Sequence, residues 1–162
     1  MTVVSNAGPI IALSRINHLF VLPALYETIL IPHAVRDELT AREAPGAAEP
    51  RSAEWLQQRR VDSTTAVSLL RERLDAGESE AIVLALDLEA DILLMDEARG
   101  RRIAKSRNLS LTGTLGVLLL AKERGHIDRV APLLAALEQN AFRMSPSLRA
   151  YVLQQAGEDE IL

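Results

Sequence analysis

Hydrophobic residues recur along the chain in short clusters, which alternate with longer segments where they return every three or four positions. The short clusters predict buried β-strands and the longer segments predict amphipathic helices. Strands are predicted at residues 2–5, 28–31, 60–63, 91–95 and 109–112. Helices are predicted over residues 10–20, 33–39, 65–75, 78–88, 97–107, 113–122, 128–139 and 146–156, with a further short one around Trp55 and Leu56.

The alternation of strands and helices predicts a three-layer α/β/α sandwich with a central, mostly parallel sheet of about five strands. The chain of 162 residues suits one domain, and it contains no internal repeat. Residues 1–145 are expected to form the body of this domain. Residues 146–162 are expected to add a helix and an acidic tail that frays, and residues 44–50 to form an exposed loop.

The amino-acid composition argues against several classes of function. The chain has no cysteine, which excludes disulfides, zinc–thiolate sites and cysteine nucleophiles. Aromatic residues make up only 3% of the chain, which argues against binding single strands by base stacking. No apolar run approaches the roughly 18 residues of a membrane span, and no signal peptide is evident. We therefore expect a cytoplasmic protein without a membrane partner.

Oxygen-bearing side chains cluster where a parallel fold collects its ligands, at strand ends and helix starts. Some follow predicted strands directly, and others lie on the helices that the sheet brings nearby. Such oxygen donors are the ligands that Mg²⁺ or Mn²⁺ needs. The candidate metal ligands are Asn6, Glu38, Glu78, Glu80, Asp96 and Glu97.

Each acid also has a simpler explanation. Glu38 could be an ordinary solvated carboxylate, and Glu78 could favour the positive end of its helix. Asp96 could be the N-cap of the helix that follows it. Glu78 and Glu80 are about 200° apart around a helix, so both cannot point straight into one pocket.

The helix predicted over residues 97–107 is strongly basic. Arg99, Arg102 and Lys105 recur every three residues and lie along one side of it. They could bind the phosphates of RNA without reading its sequence. Alternatively, they form a solvated surface paired with the many acids of the chain.

Five segments in this order resemble PIN-domain proteins, a family of metal-dependent ribonucleases. The first is Val-Ser-Asn-Ala-Gly-Pro-Ile-Ile-Ala-Leu at residues 4–13, and the others lie at residues 31–39, 77–82, 94–104 and 113–119. The resemblance covers nearly the whole chain and is closest to a compact prokaryotic branch that includes VapC-type toxins. Each motif is weak alone, but together they are fairly specific.

The resemblance implies cleavage of RNA phosphodiesters with Mg²⁺ or Mn²⁺ as cofactor. It implies that Glu38, Glu80 and Asp96 are the catalytic acids, with Glu97 beside them. Glu80 is preferred to Glu78 because the corresponding acid of the family commonly stands directly before an alanine. The implied partner is RNA. The Leu-rich helices of the C-terminal part could also bind an antitoxin protein or form a homodimer, although burial in the core of the domain is the simpler use of their leucines.

One residue departs from the family pattern. The first acid of the family, at the end of strand one, is Asn6 in this chain. An amide offers one oxygen to Mg²⁺ but lacks the charge of a carboxylate and cannot bridge two ions. The sequence therefore leaves two functions open: a metal-dependent endoribonuclease, such as the toxin of a toxin–antitoxin pair, or a catalytically impaired module that binds RNA or a protein partner.

Overall fold

The computed structural model describes residues 1–41 and 54–159, and five parallel strands form its central sheet. The order across the sheet is β3-β2-β1-β4-β5. The strands are β1 Val3–Ser5, β2 Ile29–Ile31, β3 Leu56–Gln58, β4 Ile92–Leu94 and β5 Leu111–Thr112. The predicted α/β fold with a five-stranded parallel sheet is confirmed.

Nine helices lie in the described ranges, between and beyond these strands. They are α1 Ala7–Arg15, α2 Val21–Tyr26, α3 His33–Ala41, α4 Thr64–Leu70, α5 Ala76–Asp87, α6 Ala98–Ser106, α7 Thr114–Glu123, α8 Ala131–Gln139 and α9 Pro146–Gln155. None of the helices in these ranges is long and apolar enough to cross a membrane. The loop predicted at residues 44–50 lies outside the described residues.

The sheet has helices on both faces because neighbouring strand residues point to opposite sides. In β4, Leu93 joins the core beneath α5 and α6, while Leu94 joins the core beneath α1, α2 and α7. Val4 and Val3 of β1 divide between the two cores in the same way. The three-layer sandwich therefore follows from strands that are buried on both faces, as parallel sheets require.

The strand order reverses at β1. The chain runs outward from β1 through β2 to β3, then crosses back to place β4 on the other side of β1. Val4 pairs with Leu30 on one side and with Leu93 on the other. Loops leave the carboxyl ends of β1 and β4 in opposite directions at such a point, and the crevice between them is the usual ligand site of an open α/β sheet.

Two sequence predictions near the sheet edge are wrong. The third strand is Leu56–Gln58 rather than residues 60–63, and the short helix expected around Trp55 and Leu56 is therefore a strand. Only Leu56 is buried in β3, whereas its two glutamines are exposed. An edge strand with one buried side chain lacks the apolar run by which strands are recognised.

The helix predicted over residues 10–20 ends before residue 20, and a separate helix follows it. α1 ends at Arg15, and Asn17 adopts a left-handed backbone conformation with φ of 59°. Asparagine tolerates this conformation better than most residues because its short side chain can bond locally. The chain then turns and restarts as α2 at Val21.

The acidic tail is held against the domain by Glu158. This side chain is only 7% exposed and accepts a hydrogen bond from Lys122 Nζ at 2.8 Å. It also accepts from the backbone N–H groups of Val130 and Ala131 at the start of α8. Burial acts to raise its pKa, but hydrogen bonds from Lys122 and the two N–H groups outweigh it and lower the pKa to about 2. The expectation that the tail frays is wrong at this residue.

Candidate active site

A cavity of about 1210 Å³ opens at the crevice beside the carboxyl ends of β1 and β4. One wall is apolar and is formed by α1, α7 and the segments around α8 and α9. The other wall carries the polar side chains Asn6, Glu38, Asp75, Glu78, Asp96, Glu97 and Arg101. Five of the six predicted metal ligands therefore line one cavity, although they span residues 6 to 97.

Asn6 lies between β1 and α1, where the chain leaves the sheet. Its backbone N–H donates to the carbonyl of Leu94 at 2.9 Å and extends the β1–β4 pairing by one residue. The side chain is 6% exposed, and among the described residues its Oδ1 has no hydrogen-bond partner. A buried oxygen without a partner costs about 1–3 kcal/mol, which indicates that a bound group completes its contacts.

Glu38 reaches the same place from α3. A carbon at the Cβ position of Gly77 would lie 3.2 Å from Glu38 Oε1 and 3.2 Å from Asn6 Oδ1. The two oxygens therefore flank one small volume, which stays open because residue 77 has no side chain. Packing of α3 against α5 brings Glu38 to this volume.

Asp96 follows β4 and binds the start of α7. Its Oδ1 accepts a hydrogen bond from the backbone N of Thr114, and its Oδ2 accepts one from Thr114 Oγ1, both at 2.7 Å. The N-cap of α6 is Glu97, which makes no side-chain capping bond. The alternative that Asp96 caps the helix following it is therefore wrong, because its carboxylate turns toward the next strand–helix connection.

Burial raises the pKa of two carboxyl groups of the site. Burial raises the pKa of Asp96, while the hydrogen bonds from Thr114 and the charge of Arg101 act to lower it. Burial also raises the pKa of Glu78 to about 7, against the lowering effect of the Asp75 backbone hydrogen bond. The negative charges of Asp75 and Glu97 raise it further. A cation in the cavity would favour the charged form of each group.

Glu78, and not Glu80, faces the cavity. Glu78 is 8% exposed and forms a capping box at the start of α5. Its backbone N donates to Asp75 Oδ1 at 2.8 Å, and its Oε1 accepts from Asp75 N at 3.3 Å. Glu80 Oε1 instead accepts from the backbone N of Ala34 at 3.1 Å and lines a separate pocket of about 380 Å³. The 200° offset along the helix places Glu80 away from the cavity, and its catalytic role stays a prediction.

The three predicted RNA-binding residues lie outside the cavity. Arg99, Arg102 and Lys105 are exposed on α6, and Arg99 donates to the backbone carbonyl of Arg73. Arg101 lines the cavity instead, and it donates to the carbonyl of Met95 at 2.8 Å. Its guanidinium also lies near Asp96, where its positive charge partly opposes the rise in the pKa of that group caused by burial.

Sequence reasoning missed Asp75 and Arg101, although each has a signal. Asp75 followed three residues later by Glu78 is the spacing of a capping box, which predicts that the two carboxylates lie together. Arg101 stands four residues after Glu97 and so lies on the same face of α6. Both are cavity residues. Arg15 and Arg143 also line it, from α1 and from the segment between α8 and α9.

The polar wall fits a divalent cation by its chemistry. Within residues 1–41 and 54–159 there is no ready-made group of three His, Cys, Asp or Glu side chains that could hold a metal. The fit rests on the unpartnered amide oxygen of Asn6 beside Glu38, and on carboxylates whose mutual repulsion a cation relieves. Asn6 is one of the oxygen donors, so the donor set is not purely acidic.

The fold and this cavity define an α/β protein with an acidic, metal-compatible site at its topological switch point. The family model DUF3368, described as a PIN domain, matches residues 2–158. The chain therefore belongs to the PIN-domain family, which indicates a nuclease-like function and RNA binding, and PIN domains generally use divalent metal ions. Neither a curated protein nor a solved structure matches the chain.

Proposed function

We propose that this protein is a Mg²⁺- or Mn²⁺-dependent endoribonuclease of the VapC-like branch, acting as the toxin of a toxin–antitoxin pair. One observation carries the proposal. Side chains from three separate parts of the chain, Asn6, Glu38 and Asp96, line one cavity at the switch point of the sheet. Family membership supports the nuclease class, and the sequence resemblance supports the toxin branch.

Asn6, Glu38 and Asp96 are the residues that would hold the ion, with Glu78 as the third acid in place of Glu80. When bound, a divalent ion there activates water and stabilises charge on a phosphodiester. The chain itself contributes orientation: Thr114 fixes both oxygens of Asp96, and Asp75 fixes Glu78. Glu97, exposed at the mouth of the cavity, adds negative charge beside them.

Arginines support a path for RNA along the cavity. Arg15, Arg101 and Arg143 line it and can contact phosphates on either side of the acids. The exposed Lys105 lies four residues after Arg101, on the same face of α6, and extends the basic surface beyond the mouth. These contacts position a strand without reading its sequence, so substrate choice depends on other features of the RNA.

The apolar wall of the cavity supports an antitoxin partner. Leu115, Leu119, Phe142 and Tyr151 line it, and Tyr151 is an exposed large aromatic. An amphipathic helix can lay its apolar face into such a groove. A second copy of this chain is the competing occupant, and measuring the mass in solution with and without the partner separates the two.

A second candidate is a PIN-like module with impaired catalysis that binds RNA or a protein partner. The observation that favours it is again at the first site position, where the neutral Asn6 replaces a carboxylate. Both oxygens of Asp96 also accept hydrogen bonds already, which limits what they can offer a metal. This candidate predicts metal-independent binding without cleavage.

Cleavage of single-stranded RNA with Mn²⁺ or Mg²⁺ tests the proposal. Wild type should cleave, Asp96→Asn and Glu78→Gln should lose most activity, and Glu80→Gln should keep it. Glu80→Gln is a matched control because it makes the same change two residues along the same helix, and glutamine can still accept the bond from Ala34. Glu78→Gln keeps the capping box at the start of α5, because glutamine can take the place of glutamate in this motif.

The other outcomes decide against the proposal. If wild type is inert while Asn6→Asp cleaves, the protein is the impaired module. If no variant binds metal or cleaves RNA, the nuclease assignment is wrong. The toxin role has its own readout, which is growth arrest on expression that Asp96→Asn relieves.

A further inference from the structure

Three oxygens from three parts of the chain surround the space above Gly77. A carbon at its Cβ position would lie 3.2 Å from Asn6 Oδ1, 3.2 Å from Glu38 Oε1 and 3.6 Å from Asp75 Oδ1. Asn6 Oδ1 is the buried oxygen that has no hydrogen-bond partner in the described part of the chain. An unpartnered buried oxygen facing two carboxylates is the arrangement that a cation would complete.

We propose that Asp75 is a direct ligand of the divalent cation and supplies the negative charge that Asn6 does not. The cation then lies between Asn6, Glu38 and Asp75, beside the first turn of α5. This inference rests on the metal dependence of the proposed function. It adds a ligand that none of the sequence motifs singled out.

The charge of the donor set supports this assignment. Asn6 and Glu38 together provide one negative charge, whereas Asp75 raises the total to two. Mg²⁺ is commonly bound through one or two carboxylates and keeps several waters, so this set is sufficient for it. Asp96 is less available, because each of its oxygens already accepts a hydrogen bond from Thr114.

Asp75 has room to take this role. It is exposed and lines the cavity, and its Oδ1 accepts a hydrogen bond from Glu78 N. The start of a helix carries partial positive charge and is by itself unfavourable for a cation. The carboxylates of Asp75 and Glu78 offset that effect at the start of α5.

The competing explanation is that Asp75 is only the N-cap of α5. Asparagine and serine cap helices about as well as aspartate, so Asp75→Asn and Asp75→Ser separate charge from capping. The experiment measures Mn²⁺ binding to the full chain without RNA, by the paramagnetic signal of free Mn²⁺. Asp62→Asn is the matched control, because it removes an exposed acid that does not line the cavity.

Asp75→Asn and Asp75→Ser should weaken Mn²⁺ affinity at least about tenfold, since loss of even an outer partner of a metal ligand commonly costs that much. Asp62→Asn should not change it, and the melting temperature of each metal-free variant should stay near that of wild type. Adding Asn6→Asp to Asp75→Asn restores the charge and should return the affinity close to the wild-type value.

Unchanged affinity in both Asp75 variants, with weakened affinity in Asp96→Asn, would overturn the inference and leave the proposed function standing. Absence of Mn²⁺ binding by wild type would overturn both. Failure of Asn6→Asp to restore binding to Asp75→Asn would also count against the inference, because the two positions would then not share one cation.

Discussion

The carboxylate of Asp96 binds Thr114 through both of its oxygens, at 2.7 Å from the backbone N and 2.7 Å from the hydroxyl. This pair joins the end of β4 to the start of α7, 18 residues further along the chain. It fixes the orientation of an acid of the site and caps a helix at the same time. The orientation of Asp96 and the capping of α7 therefore depend on the same contact.

Replacing Thr114 by Ala should remove the hydroxyl bond and leave Asp96 with the backbone bond alone. We expect a loss of about 1.5–3 kcal/mol in the free energy of unfolding, the usual contribution of a hydrogen bond to a charged group. RNA cleavage should fall with it, because Asp96 is no longer held in one rotamer. Thr114→Ser keeps the hydroxyl and should restore both properties, measured by urea unfolding and by cleavage assay. Equal loss in the serine variant would contradict this account.

Neighbouring arginines on α6 should behave differently. Arg101 lines the cavity, whereas Arg102 is exposed outside it. Arg101→Gln should reduce RNA cleavage about tenfold, roughly the effect of losing one charged contact of 1.5 kcal/mol. Arg102→Gln should change it little. The melting temperature of each variant controls for the lost bond from Arg101 to the Met95 carbonyl. Similar activity losses in the two variants would show that general charge, and not position in the cavity, sets the effect.

A methyl group at residue 77 should fill the volume between Asn6 Oδ1 and Glu38 Oε1. Gly77→Ala improves helix propensity by about 0.8–1 kcal/mol but places Cβ 3.2 Å from both oxygens, which must then shift. We expect metal-free stability to stay within about 1 kcal/mol of wild type, since the two effects oppose each other. Mn²⁺ affinity should nevertheless fall. Full-strength Mn²⁺ binding by Gly77→Ala would mean that the cation lies elsewhere in the cavity.

Acid should destabilise the protein through Glu158. The pKa of this group is about 2 in the folded protein, below its ordinary value of 4.5, so the unfolded chain binds more protons between these limits. The stabilisation is therefore complete above about pH 5 and is lost as the pH falls toward 2. Glu158→Gln should lower the free energy of unfolding at pH 7 by about 2 kcal/mol and flatten its decline below pH 5.

Asp159→Asn is the control for that measurement. It removes the adjacent carboxylate, which is exposed, and should leave both the stability and its pH dependence close to those of wild type. A steep acid decline that survives in Glu158→Gln would assign the effect to other carboxylates.

Most of the fold could be predicted from the sequence because most of its strands are buried on both faces. Val3 and Val4 of β1 and Leu93 and Leu94 of β4 give apolar runs that only a central strand explains. The edge strand β3 could not be found in this way, because only Leu56 contributes to the core. Its position is set by pairing with β2, which is a property of the folded sheet.

The location and acidic character of the candidate site could be predicted from the sequence, but not which helix residues face it. Asn6 and Asp96 could be predicted because each is a polar residue directly after an apolar strand, and the hydrophobic pattern shows where such strands end. The choice between Glu78 and Glu80 depends on the rotation of α5, which the Asp75 capping box fixes. The choice among the arginines of α6 depends in the same way on which helix face turns toward β4. Packing decides how each helix is rotated about its own axis, and this rotation could not be predicted from the sequence pattern.

The contact between Asp96 and Thr114 also sets an order of events during synthesis. Glu38 and Glu78 leave the ribosome early, but Asp96 has no fixed orientation until β5 and the first turn of α7 have been made. The parallel sheet adds to the delay, because each of its pairings joins segments that are distant along the chain. The polar wall of the cavity is therefore incomplete in every nascent chain that stops before residue 114. The cavity proposed as the active site is therefore complete only after more than two thirds of the 162 residues have been translated.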